Sequence, residues 1–164
     1  LEEVVLRRAL GALVLIAIVT GVALATPVPM LALTDGVTSR AVWLDDGDRY
    51  VYAYVSSVYE APVDERHLRS NDRLRITSVR STDLRAVEYF RWDGEIRRVG
   101  DGYEQDAPRN QTRRLEIRVT PRYRQRLVGT RWTVDLAESF GDGIVLVTAE
   151  RLPILSALLR GWRP

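Results

Sequence analysis

The chain contains no cysteine and no lysine, and it has a single histidine, His67, among its 164 residues. Without cysteine there is no disulfide, no thiolate metal site and no cysteine nucleophile, in any compartment. One histidine excludes a multi-histidine metal site within one chain. The lack of lysine removes Schiff-base and lysine-base mechanisms. It also removes any phosphate-cradling loop of the G-x-x-x-x-G-K-[ST] kind. A GC-rich coding bias accounts for the all-arginine basic set more simply than selection does. The 24 arginines are balanced by 22 acids, for a formal net charge of +2. They are interleaved with those acids, as in "DERHLRSNDRLR". Nucleic-acid binders concentrate basic charge on one face, so no nucleic-acid partner is expected.

What the sequence does have begins at its N-terminus. "LRRALGALVLIAIVTGVALATPVPMLALTDG" carries no charge from Ala9 to Leu33. Pro27 and Pro29 stop a helix near Ala25. The uncharged helical part, Ala9 to Thr26, spans about 27 Å at a rise of ~1.5 Å per residue. That approaches the ~30 Å hydrocarbon thickness of a bilayer. Arg7 and Arg8 stand before it, and the positive-inside rule then keeps the N-terminus in the cytoplasm and the rest outside. A single-pass signal anchor in the cytoplasmic membrane is the expectation. The alternative is a secreted or periplasmic protein after cleavage near Ala25, since Ala23-Leu24-Ala25 is an A-x-A-like site.

From Ala41 the hydrophobic period falls to two. "RYVYAYV" alternates Tyr50, Tyr52 and Tyr54 with Val51, Ala53 and Val55. "RRLEIRVT" alternates Leu115, Ile117 and Val119 with Arg114, Glu116 and Arg118. "RLRITSVR", "LRAVEYFRW", "RWTVDL" and "GIVLVTAE" read as further strands, with Asp93-Gly94 as a short-hairpin signal. The pattern predicts an all-β antiparallel sandwich or small barrel of about seven or eight strands. No internal repeat or low-complexity tract interrupts it. In the tail "RLPILSALLRGWRP", Leu152, Leu155, Leu158, Leu159 and Trp162 fall on one helical stripe. Such a stripe packs on its own domain or lies on a membrane surface. The expected organisation is a membrane anchor or signal segment over 1–33, an extracytoplasmic β domain over 34–150 and an amphipathic tail over 151–164.

Catalytic groups are few. His67 is the one imidazole base, and "DERHLR" reads as a solvated histidine beside Glu65; the sharper alternative pairs it with Glu65 as a general base. "LDDGD" and "GDGYEQD" offer oxygen ligands for calcium but lack EF-hand spacing, and Asp and Gly also dominate ordinary turns. No enzyme, metal or cofactor is expected. The informative stretch is "SSVYEAPVDE". Pro62 cannot donate to a sheet ladder, which marks an edge, a bulge or a crossing. Ser56 or Ser57 should point inward, where a hydroxyl needs a partner such as Glu65. This is either a structural corner or a polar spot in a pocket or interface.

On Ser57, Val58, Pro62 and Glu65, followed by the strand "DRLRIT", the sequence resembles an uncharacterised family of small extracytoplasmic proteins, often encoded beside TRAP-type transporters of the TAXI class. Two features depart from that family. Its pattern begins His-Ser-Val, and the histidine is Ser56 here; its glycine-rich segment after the second strand is replaced by "DLRAVEYF". The resemblance implies a location outside the membrane and a transporter or solute-binding protein as partner. The expected binding residues are Ser57, Tyr59, Glu65 and His67, in a membrane-anchored accessory domain. The alternative is a small-molecule-binding barrel whose cavity is lined by the tyrosine face of "YVYAY".

Overall fold

The computed structural model describes residues 2–161, with side chains from residue 10 onward. The chain opens with α1 (Glu2–Ala25), β1 (Pro27–Thr34), β2 (Ser39–Trp43), β3 (Arg49–Val55), β4 (Pro62–Ser70) and β5 (Arg73–Ser81). It continues through α2 (Leu84–Glu88), β6 (Ile96–Val99), β7 (Gly102–Asp106) and β8 (Arg114–Val119). After a 3-10 turn at Pro121–Tyr123 come β9 (Arg126–Val128), β10 (Thr133–Asp135), α3 (Leu136–Phe140), β11 (Gly143–Pro153) and α4 (Ile154–Leu159).

The strands form two antiparallel sheets, one ordered β2-β1-β11-β8 and the other β10-β9-β3-β4-β5-β7-β6. The sheets are not joined into a closed barrel, and eleven strands replace the expected seven or eight because three are only three or four residues long. One apolar cluster draws from both sheets: Leu31 and Val147 from the smaller, Tyr50, Leu74 and Leu127 from the larger. That shared core is what makes the architecture a sandwich.

β11 shows why period two works as a signal. Val145, Val147 and Ala149 point inward and are buried, while on the opposite face Ile144 is exposed and Leu146 and Thr148 are half-buried. β1 shows where it fails. Met30, Leu31, Ala32 and Leu33 are all buried, because Leu31 and Leu33 enter the main core while Met30 and Ala32 pack against Ala41, Leu152 and Ala157 on the other side. A strand covered on both faces reads as a continuous apolar run, so residues 27–33 looked like part of the N-terminal segment. Its prolines fit the sheet. Pro29 O accepts from Leu44 N on the β2 side, where β2 pairing begins only at Met30, so the missing N–H groups of Pro27 and Pro29 interrupt no ladder bond.

Helix α1 ends at Ala25, as the prolines require. From Leu10 onward its apolar side chains are largely exposed, among them Leu13, Ile16 and Val19, and it touches α4. Among the described residues no helix is long and apolar enough to cross a membrane, so the expected span is not established by the structure.

"LRAVEYF" is a helix rather than a strand. The Asp83 carboxylate accepts from Arg85 N and starts α2, and Ala86 and Val87 then pack against Val63 and Val79. The hairpin in this region joins β6 to β7 through Gly100 and Asp101, downstream of Asp93-Gly94. In the tail, Leu152 belongs to β11 and is buried, and α4 turns Ala157 inward while Leu155, Leu158 and Leu159 face out. The predicted stripe is therefore divided, and Trp162 lies outside the described residues.

Candidate functional site: a cleft between the sheets

Alternation along β3 sends Tyr50, Tyr52 and Tyr54 to the inner face of the larger sheet. The register sets them opposite His67, Glu65 and Val63 of β4. Glu65 and His67 therefore point into the sandwich, and Asp64 and Arg66 point away from it. The β4–β5 pairing slips between Arg66 and His67, and Thr77, the extra residue, donates its hydroxyl to Arg66 O at 3.0 Å.

Glu65 is the focus of the inner face. The Tyr54 hydroxyl donates to Glu65 Oε1 at 2.9 Å, and His67 Nε2 stands 3.4 Å from Oε2. The histidine is only 4% exposed and stacks on Tyr50, with ring centroids 5.0 Å apart and planes 14° off parallel. The expectation of a solvated His67 is corrected: strand alternation turns it inward although the three residues before it, Asp64, Glu65 and Arg66, are charged. Its Nε2 and the Tyr50 hydroxyl are fully buried and make no hydrogen bond to the described residues.

Above this group lies a cleft of about 430 Å³ between β3 and β4 on one side and β8 on the other. Tyr52, Tyr54 and Glu65 form one wall and the backbone edge of β8 the other. The tyrosine rings lie 4.7 Å apart. Gln125 closes one end: its Nε2 donates to the Tyr52 hydroxyl and to Arg118 O, each at 2.7 Å, and its Oε1 accepts from Thr120 N at 2.7 Å.

The predicted residues divide. Ser57 and Glu65 share the cleft, Ser57 as an exposed residue at its rim. His67 sits behind Glu65. Tyr59 is elsewhere: it packs edge-on to Tyr89 at 6.1 Å and lies under the Arg85 guanidinium at 5.4 Å. Neither serine enters the sheet. Ser56 closes the hairpin turn, its N–H donating to Ala61 O at 2.8 Å and its carbonyl accepting from Glu60 N at 2.9 Å. The hydroxyl that meets Glu65 is Tyr54's, and "SSVYEAP" is a structural corner, with Pro62 opening β4. Gln125, buried in "RYRQRLV", carried no local signal of its role.

The "LDDGD" carboxylates serve the turn, Asp48 Oδ2 accepting from Asp45 N at 3.0 Å. Among the described residues no three Asp, Glu, His or Cys side chains are grouped to hold a metal ion.

Burial raises the pKa of the inner tyrosines, and the Glu65 charge adds to it. Tyr52 is pushed up to about 12 despite its bond from Gln125, and Tyr50 and Tyr54 rise further. In the unfolded chain each ionises near its ordinary value of about 10. Above that pH the unfolded chain releases protons that the folded one keeps. The stabilisation is complete below pH ~10 and is lost as pH rises through the folded values. The denaturation midpoint is expected to hold steady to about pH 9.5 and to fall by pH ~12, with tyrosinate absorbance appearing as the fold is lost.

No protein-family model, no curated protein and no solved structure matches the chain.

Proposed function

We propose that this chain is a membrane-attached binding module on the extracytoplasmic side, and that its cleft engages a partner protein of a solute-uptake system. The observation that carries the binding role is Glu65. Its side chain is only 15% exposed, and among the described residues no arginine lies within 4.0 Å of it. A carboxylate this withdrawn from water is unfavourable unless its oxygens are well paired. Tyr54 at 2.9 Å and His67 at 3.4 Å meet one oxygen each, and the group opens onto a cleft walled by two tyrosines. Such a group is poised for a cationic ligand that brings it further donors.

Attachment to the membrane is motivated by the exposed apolar surface of α1, continued by Leu155, Leu158 and Leu159 of α4. Contiguous exposed apolar surface of this kind marks contact with lipid or protein. The transporter or solute-binding protein as partner rests on the resemblance at Ser57, Val58, Pro62 and Glu65. A second reading, a small solute held in the cleft, is favoured by its volume, which lies in the ~300–1,000 Å³ range of ligand pockets.

A tagged pull-down from mildly solubilised native membranes tests the main reading. A transport protein is expected with the wild-type chain, and its recovery is expected to drop at least about tenfold with Glu65→Gln, provided the variant keeps its strand signal in circular dichroism. Equal recovery with both would remove the cleft as the working surface. A solute that raises the melting temperature, with no protein recovered, would establish the second reading instead.

A further inference from the structure

Strand β8 is the outer strand of its sheet and pairs only with β11 among the described strands. In an antiparallel ladder the N–H and C=O of one residue face the same side, and the side alternates along the strand. Side-chain contacts identify which residues face outward. Thr112 Oγ1 donates to Arg114 O at 2.7 Å and accepts from Arg114 N at 3.2 Å. Four residues on, the Gln125 amide takes Arg118 O and Thr120 N, supplying an acceptor and a donor as a neighbouring strand would. Both ends of the edge are thus closed by side chains. Between them, the N–H and C=O of Glu116 and the N–H of Arg118 face outward into the cleft with no described strand beside them.

The opposite wall is also incomplete. β9 pairs with β3 only at Val51–Ala53, and β3 runs on through Tyr54 and Val55 without it. The cleft is a slot between two strand edges, with Glu65 on its inner side.

Resting on the reading of the cleft as a binding site, we propose that its occupant is an extended peptide segment of the partner, added as a strand along β8, with an arginine or lysine side chain turned inward to Glu65. Free edge groups give such a peptide its main-chain bonds, and alternate side chains give specificity. Inward-facing residues of the peptide meet Tyr52 and Tyr54, whose faces suit an alkyl-cation side chain. The carboxylate gains a charged donor in addition to the Tyr54 hydroxyl and the nearby His67. A free solute would leave the outward amides of β8 unused.

The test uses the full chain in detergent micelles and a displayed library of random linear heptapeptides. The strongest enriched sequence is then synthesised with blocked ends, both unmodified and N-methylated at alternate residues. We expect enrichment of an Arg or Lys, shifts at the Glu116 and Arg118 amides on binding, and at least tenfold weaker binding on N-methylation of one alternate set. Glu65→Gln and Glu116→Pro should each weaken binding at least tenfold. The proline falls on the free side of an edge strand, where the ladder does not need its N–H, so this variant keeps the fold. Binding that withstands both N-methylated sets overturns strand addition and leaves the cleft as a site. Selection of no peptide, with arginine or tetramethylammonium perturbing the Tyr52 and Tyr54 signals, overturns the peptide and leaves a small-solute site. Neither peptide nor cation perturbing the cleft overturns both readings.

Discussion

Replacing Arg69 by methionine is expected to destabilise the fold by about 4 kcal/mol, the scale at which removing one member of a buried charged network leaves the other groups uncompensated. Arg69 lies on β4 and is only 2% exposed. Its Nη1 donates to Met30 O at 2.9 Å and to Leu44 O at 2.7 Å, its Nη2 to Glu150 O at 3.0 Å, and its Nε to Asn71 O at 3.0 Å. Two of these carbonyls belong to β1 and β11 of the opposite sheet. One planar guanidinium thus ties both layers of the sandwich at the end where β2 turns into β3. Burial pulls its ionisation down, and Asp46 opposes that pull. Methionine fills a similar volume and supplies no donor, so the carbonyls lose their bonds together. Hydrogen bonds to charged groups contribute ~1.5–3 kcal/mol each, and they are not additive. Arg69→Lys keeps the charge but not the fork, and a single ammonium cannot reach carbonyls spread over two sheets. It should fall between wild type and methionine. Urea denaturation measures this: the midpoint should move and the slope should not. A loss under ~1 kcal/mol for Arg69→Met would mean that water replaces the guanidinium at all four carbonyls.

Arg69 also marks the limit of what one sequence discloses. β8 was legible because it has one wet face, which Arg114, Glu116 and Arg118 announce by their spacing. β3 was legible by its alternating tyrosines, although Ala53 on the other face is buried. β1 was not, because α4 covers its second face and erases the alternation. "LRAVEYF" suits a strand by its aromatic residues, yet a five-residue helix forms because Asp83 caps it and Val87 finds the space under β5. His67 was misplaced for a simpler reason. Its neighbours Asp64, Glu65 and Arg66 look like a solvated run, but period two puts Glu65 and His67 on the side opposite Asp64 and Arg66. The site itself needed long-range register. Tyr52 meets Gln125 across 73 residues of chain. Glu65 could be named from its motif, but its companions follow from strand pairing, which no local pattern specifies. Tyr59 shows the converse: it sits in the motif and belongs to a different cluster.

The second large effect is expected at Gly129. Gly129→Val should destabilise the fold by about 3 kcal/mol, the upper range for forcing atoms into a packed site. The glycine precedes the β9–β10 turn, and its N–H donates to Trp132 O at 2.9 Å. The indole of Trp132 folds back over it. A Cβ at position 129 would stand 2.3 Å from Cε2 and 2.6 Å from Cζ2 of that ring. The half-buried ring is held in place, because its Nε1 donates to Trp43 O at 2.9 Å and it stands tilted beside Tyr50 with centroids 6.4 Å apart. Valine must displace the indole, which breaks the bond to Trp43 O and opens the core beside Tyr50. Fluorescence separates this from a mild strain. The emission of Trp132 should shift to the red as the ring meets water, while a Trp132→Phe background should show no such shift. If Trp132→Phe alone reproduces the destabilisation and Gly129→Val adds nothing to it, the two residues act as one unit. If instead the losses add, the valine disturbs the β9–β10 turn directly, and the packing of Trp132 on Gly129 is not what holds that end of the sheet.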